Sequence, residues 1–215
     1  MATILTCRSD FSIPARNIVE GSVVIFPTDT VYGLGTNPRS VKGLESCYSV
    51  KKRDRTKKMP VLFEDFSAAT KFVRFGRKSE YLASLFWPGK LTMVLHVIDP
   101  MLPEPLIGIE KTLAVRVPNH YCSLRLISAC GGSLVGTSAN LSGEDPLTDP
   151  NDERLKELSK SVDYFISESC GANSNLSSTI IDATDEDSIH VIREGAISRQ
   201  IIQTHLEKMS KTDFS

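Results

Sequence analysis

Five times along this 215-residue chain, structure-forming apolar sequence meets a cluster of hydroxyls, glycines or arginines. The clusters lie at 28–35, 53–60, 112–116 and 136–143, and at Ser178 and Thr179 with Arg193. Folds of the α/β class gather ligands at strand ends. A chain punctuated this way is therefore constrained to bring several strand ends to one place. The groups on offer are hydroxyls, glycine-exposed backbone N–H groups and guanidiniums, which bind phosphate and carboxylate. The sequence holds no His/Cys/Glu set at metal-ligand spacing and no visible Ser–His–Asp arrangement. The pair Gly33 and Gly35 lacks the third glycine of a dinucleotide fingerprint, and no P-loop pattern occurs.

The second constraint is local charge. Six of the eight residues from Lys51 to Lys58 are basic, yet the whole chain has 25 Lys and Arg against 26 Asp and Glu. A general excess of positive charge would suggest a nucleic-acid or membrane-surface protein; a basic run on a balanced background suggests one polyanion site or a solvated loop. The five cysteines are scattered without a C-x-x-C pair, so they are read as small buried residues in a reducing compartment. No apolar run reaches the roughly 20 residues of a membrane span, and Arg8, Asp10 and Arg16 interrupt any signal-like N-terminus. The expectation is a cytoplasmic protein that does not engage a membrane, with a single domain over 1–209 and a frayed tail at 210–215.

Periodicity and punctuation predict strands at 22–26, 61–63, 91–97, 112–117, 133–135, 164–166, 178–181 and 189–192. Helices are expected at 12–20, 41–50, 67–75, 79–86, 120–130 and 198–209, with another starting at 149–150. Val41, Leu44 and Cys47 or Tyr48 should face inward in the second of these; Leu124, Ile127 and Ser128 should do so at 120–130. Ser67 and Asp149 are the expected caps of their helices. The elements mix without strict alternation, which suits an α/β fold with a mixed sheet rather than a Rossmann repeat.

Several residues have two readings. Arg116 sits in an apolar alternating strand, where an unpaired guanidinium would cost several kcal/mol. It needs an anion, either an internal Asp or Glu or the carboxylate of a ligand. Thr28 and Thr30 either cap a turn or bind a ligand, and Ser138 and Asn140 either shape a small-residue turn or face a ligand. Arg193 either binds an anion or pairs with Glu194.

Six segments then come in a telling order: 26–35 (Phe-Pro-Thr-Asp-Thr-Val-Tyr-Gly-Leu-Gly), 87–95 (Trp-Pro-Gly-Lys-Leu-Thr-Met-Val-Leu), 112–118 (Thr-Leu-Ala-Val-Arg-Val-Pro), 137–143 (Thr-Ser-Ala-Asn-Leu-Ser-Gly), 178–182 (Ser-Thr-Ile-Ile-Asp) and 192–195 (Ile-Arg-Glu-Gly). Together they resemble the YrdC-type family of threonylcarbamoyl-AMP synthases over roughly residues 22–200. The resemblance implies a twisted mixed β-sheet surrounded by helices, with a concave basic cleft. It also implies a nucleotidyltransferase that joins L-threonine, bicarbonate and ATP into threonylcarbamoyl-AMP and pyrophosphate. A downstream tRNA threonylcarbamoyl transferase would pass the group to adenosine 37 of ANN-reading tRNAs. Some family members carry a further C-terminal domain, for which this chain is read as too short.

By position, the resemblance puts Thr30, Glu64, Arg116, Gly136 and Ser178 on the threonine. It puts Lys51, Arg53, Arg55 and Lys58 on the ATP, together with Met59, Thr112, Ser138, Asn140, Pro146 and Arg193. Arg53, Arg55 and Arg116 are the implied catalytic groups. The family's Lys-x-Arg pair falls on Arg53 and Arg55 when counted back from Pro60, which is the preferred register, and on Lys51 and Arg53 when counted from the preceding helix. Mg2+ is expected with the ATP through phosphate and water, with no protein metal ligands. Direct tRNA contact is left open. The competing reading is a non-catalytic RNA-binding module that uses the same basic cleft.

Overall fold

The computed structural model describes residues 1–170, 176–186 and 188–212. In chain order the elements are β1 (Thr3–Leu5), α1 (Ser12–Val19), β2 (Val24–Phe26), β3 (Gly33–Gly35), α2 (Val41–Lys51) and β4 (Val61–Phe63). Then come α3 (Phe66–Thr70), α4 (Arg77–Phe86), β5 (Leu91–His96), β6 (Thr112–Arg116), α5 (Tyr121–Ala129) and β7 (Ser133–Val135). The remainder is β8 (Thr137–Ser138), α6 (Glu153–Ser159), β9 (Tyr164–Ile166), β10 (Thr179–Asp182), β11 (His190–Arg193) and α7 (Arg199–Thr212).

These strands make two mixed sheets, ordered β1-β9-β2-β3-β8 and β11-β10-β5-β6-β4-β7. The chain crosses between them at Gly136, which joins β7 of the second sheet to β8 of the first. A Cβ there would lie 2.4 Å from the Leu62 side chain. The sheets press together again at Gly35 of β3, where a Cβ would lie 1.9 Å from the Val135 carbonyl of β7. In the second sheet the period-2 pleat separates two environments. Leu91, Met93 and Leu95 of β5, Leu113 and Val115 of β6 and Ile181 of β10 are buried in the core. The alternate residues Thr92, Ala114, Arg116 and Ile180 turn to the other face and line a cavity. A smaller core packs Phe11 and Ile18 with Val24, Phe26 and Leu126.

Several boundaries depart from expectation for local reasons. β1, β3 and β8 are three short strands that sequence reading takes for coil or turn. The helix α3 starts at Phe66, because Asp65 rather than Ser67 accepts the Ala68 N–H at 2.7 Å. Likewise α6 is capped by Asp152, not Asp149. Val41 and Ser128 point to solvent; Cys122 and Ser123 take the inward face of α5 alongside Ile127. α7 runs on to Thr212, and residues 213–215 of the tail lie outside the described residues. The reading of five reduced cysteines is corrected, since Cys7 and Cys122 form a disulfide across 115 positions. Their spacing carried no signal because α1 and α5 packing, not sequence proximity, joins them. Among the described residues no helix is long and apolar enough to cross a membrane.

Gly35→Ala should drive a methyl into a main-chain carbonyl with nowhere to move. A loss of about 1–3 kcal/mol or more is expected as a lowered urea midpoint. An unchanged midpoint would mean the sheets are not held in contact at β3 and β7.

Candidate functional site

The cavity lies between the two sheets and has a volume of about 190 Å³. The first sheet contributes Gly33, Thr137 and Ser138; the second contributes Leu62, Arg116 and Arg193 among others. Arg53 and Lys58 enter from the loop between α2 and β4. Four cations therefore line one small space, and among the described residues no carboxylate does so.

Arg116 is the best-defined of them, with 5% of its surface exposed. Its Nε donates to Gly89 O at 2.8 Å, Nη1 to Thr30 Oγ1 at 3.1 Å and Nη2 to Asp29 Oδ1 at 2.5 Å. A guanidinium has five N–H groups, and these contacts use three of them. Of the two sources of anion considered from sequence, the structure supplies the internal one, Asp29. Burial pushes the Arg116 pKa down, and Asp29 opposes that shift. Thr30 is held in turn by Thr28, whose hydroxyl lies 3.0 Å from Thr30 Oγ1, donates to Val31 O at 2.6 Å and accepts the Thr30 N–H at 3.1 Å. Ser123 of α5 donates to Pro27 O at 2.6 Å and anchors the same turn.

Arg193 donates to Ser178 O at 2.7 Å, and the Ser178 hydroxyl lies 2.8 Å from that of Thr92. Its pKa is pushed down by burial and then by Arg116, the signature of two cations near one cavity with no anion between them. Burial also lowers the Arg53 pKa. The Arg53 guanidinium donates to Lys57 O at 2.7 Å and Lys58 O at 3.1 Å, which curls the basic run back on itself.

Of the residues singled out from sequence, Thr30, Arg53, Lys58, Arg116, Gly136, Ser138, Ser178 and Arg193 meet at this cavity. Arg55 does not, although it was preferred in the Lys-x-Arg register: it turns outward and pairs with Glu45. Lys51 lies behind the wall and donates to Ser138 O and Asn140 O. Met59 is buried in the core. Glu64 lines a separate apolar groove with Trp87 and Val117. Thr112 donates to Ile109 O at the far end of β6. Asn140 bonds to Leu141 O and Glu144 O, and Pro146 is not among the cavity residues. Sequence reading gave no individual role to Thr92, Thr137 or Ser177, although Thr137 lies in the 136–143 cluster; all three line the cavity. A buried threonine inside the apolar run 91–95 was the available signal. No group of three or more His, Cys, Asp or Glu among the described residues is placed to hold a metal ion.

Two mixed sheets with helices around them, and a cavity at their junction lined by four cations, define an α/β protein with a candidate anion site. The chain belongs to the Sua5/YciO/YrdC family: the family model described as Telomere recombination matches residues 16–195. It is 32% identical over 169 residues to the threonylcarbamoyl-AMP synthase of Pseudoalteromonas translucida, covering 77% of this chain and 89% of that protein. The corresponding synthase of Bacillus subtilis is 30% identical over 189 residues, 86% of this chain and 53% of that one. Among solved structures, P. abyssi Sua5 complexed with L-threonine matches with a TM-score of 0.86 at 28% identity. That match covers 95% of this chain and 61% of the Sua5 chain, so the present chain spans about three fifths of it. E. coli YciO shares the fold, with a TM-score of 0.81 at 23% identity over 94% of this chain and 100% of that one.

Removing Asp29 would strand a buried guanidinium. Asp29→Ala is expected to lower folding stability by about 3–5 kcal/mol in chemical denaturation. The double variant with Arg116→Ala should recover part of the loss. Additive losses would show that the pair is not coupled.

Proposed function

We propose that this chain is an enzyme that joins L-threonine, bicarbonate and ATP into threonylcarbamoyl-AMP and pyrophosphate. The observation that carries the reading is the cavity itself: four cations converge on about 190 Å³ in a chain of net charge −1, with the buried Arg116 among them. The names of the relatives supply the reaction, and the threonine-bound Sua5 supplies the amino-acid ligand of that protein.

In this reading Arg116, with Thr30 beside it, takes the threonine carboxylate. The amine forms a C–N bond to the carbon of CO2, set free from bicarbonate with loss of hydroxide, and the proton it gives up leaves with that hydroxide as water, so that threonine becomes a carbamate. A carbamate oxygen then attacks the α-phosphorus, the bond to the β-phosphate oxygen breaks, and pyrophosphate leaves. Arg53 and Lys58 hold the polyphosphate, and Arg193 with Ser138 faces the nucleotide. The chain needs no covalent intermediate; positioning and fixed charge do the work. The cavity is smaller than the roughly 300–1,000 Å³ of pockets that enclose whole ligands. It suits the reacting ends of the two substrates, with the rest of the nucleotide outside. The described residues build no carboxylate cage, so Mg2+ would arrive on the phosphates and water rather than on protein ligands. The product is an activated acyl-adenylate, which calls for a transferase acting on tRNA as the downstream partner. The reading calls for a compartment that holds ATP and tRNA, such as the cytoplasm.

The test is pyrophosphate release from ATP, with threonine and bicarbonate omitted in turn. Release should require both. Arg116→Ala and Arg53→Ala should each lower kcat/KM by about 10- to 150-fold, the scale of one charge-assisted hydrogen bond. Arg55→Ala, which removes an exposed side chain paired with a half-buried Glu45, should stay within about 2-fold. Release without threonine would point to another nucleotide reaction; salt-sensitive RNA binding without release would favour the binding module.

A further inference from the structure

Helix α4 and its cap carry Glu80, Ala83, Ser84 and Trp87 at spacings of three and four, so these residues follow one another along one face. That face lines a groove of about 470 Å³, separate from the cavity described above and sharing no residue with it. From 80 to 87 the helical rise spans about 10 Å, which makes the groove a slot along the helix. Ala83 and Ser84 are small and keep its floor low. Phe66, the first residue of α3, adds an aromatic wall and stays 38% exposed. Phe75 braces both aromatic walls from behind, with its ring centroid 4.8 Å from that of Phe66 and 5.9 Å from that of Trp87. The Trp87 Nε1 donates to Leu91 O at 2.7 Å and fixes the indole.

The charge of the groove is the reverse of the cavity's. Its charged groups are the three carboxylates of Glu64, Asp65 and Glu80, and neither lysine nor arginine lines it. The groove also adjoins the site without opening into it. Pro88 and Val117 line the groove, while their neighbours Gly89 and Arg116 are bonded to each other at 2.8 Å. An occupant here would sit behind Arg116 and leave the cavity free.

We propose that this groove docks a basic segment of a partner protein. The segment lays an apolar side chain over Ala83, against Phe66 and Trp87, and sets lysine or arginine beside the carboxylates. The apolar floor needs an apolar anchor, since polar groups alone would lose water there for no return. The carboxylates select the sign of the flanking charge and turn away acidic partners. Exposed aromatic rings add an attraction for a cation placed over their faces. The length of the slot favours a peptide segment lying along the helix, the arrangement by which apolar grooves take up chain segments.

Trp87 is the chain's single tryptophan, so its fluorescence reports occupancy of the groove without a label. A phage-displayed library of random peptides is selected on the wild-type protein. Recovered peptides should carry an apolar residue flanked by lysines or arginines. Synthetic copies made without tryptophan should change the Trp87 fluorescence saturably. Phe66→Ala should weaken them by about 10-fold, the scale of one apolar side chain leaving water. Glu80→Lys should weaken them by about 5-fold, a loss that shrinks as added salt screens the charges. Glu80 is exposed, so this variant should melt with the wild type; it carries the test alone if Phe66→Ala does not fold.

The proposal is overturned if no selected peptide distinguishes the wild type from these variants, or if the peptides that do are acidic. It is overturned equally if phenethylammonium binds as tightly as the peptides, which would make the groove a site for a small organic cation. Sedimentation velocity covers the remaining occupant: a wild-type dimer that Phe66→Ala or Glu80→Lys dissociates would place a second copy of this chain in the groove. None of these readouts uses ATP or threonine, so they stand apart from the synthase reading.

Discussion

A buried guanidinium must find acceptors on the sides it turns away from water, and Arg116 finds them in both halves of the protein. The side chain starts on β6 of the second sheet. Its Nε takes the Gly89 carbonyl in the turn after α4, and its Nη atoms take Asp29 and Thr30 in the loop after β2 of the first sheet. Satisfying one residue therefore ties three segments together and sets the gap between the sheets. That gap is the cavity. Apolar packing alone would close two sheets at the roughly 10 Å of side-chain contact; here polar demand keeps one edge open.

The same region carries an electrostatic cost. Arg193 is disfavoured by burial and by Arg116, and Arg53 is disfavoured by burial. Asp29 relieves Arg116, while Glu104 lies 3.6 Å from Lys58 at the exposed rim. A ligand bringing carboxylate and phosphate charge would supply what the protein withholds. Folding free energy is thus held back as readiness to bind, the usual relation between a functional site and stability.

How much of this was legible in the chain depended on distance. Elements set by local pattern were readable: the alternation 112–116 predicted a strand with one buried face, and 61–63 and 133–135 were found as they stand. Elements set by partners elsewhere were not. Gly33–Gly35 and Thr137–Ser138 are strands because they pair with each other and with β2, and nothing in their composition says so. Arg116 announced its need for an anion, yet only the fold could name Asp29. The basic run showed the same limit. Six cations in eight residues look interchangeable in sequence, whereas the end of α2 separates them physically. Lys51 goes inward, Arg53 and Lys58 reach the cavity, and Arg55 goes to Glu45. The disulfide was invisible for the same reason, since two cysteines 115 positions apart carry no local mark.

These observations bear on why the site sits at a junction of sheets. Proton transfer by a dedicated side chain can tolerate a mobile loop, because one short contact suffices. Catalysis by fixed charge cannot, since its benefit comes from dipoles and cations that need not reorganise as the reaction proceeds. The loops here are accordingly pinned from behind: Thr28 and Ser123 pin the Thr30 turn, Thr92 and Arg193 pin Ser178, and Lys51 pins the loop of Ser138. None of these pins is supplied by a neighbour in sequence except Thr28. On the proposed mechanism, which passes through no covalent enzyme intermediate, precision has to come from long-range contacts, and those contacts are what the two-sheet fold provides.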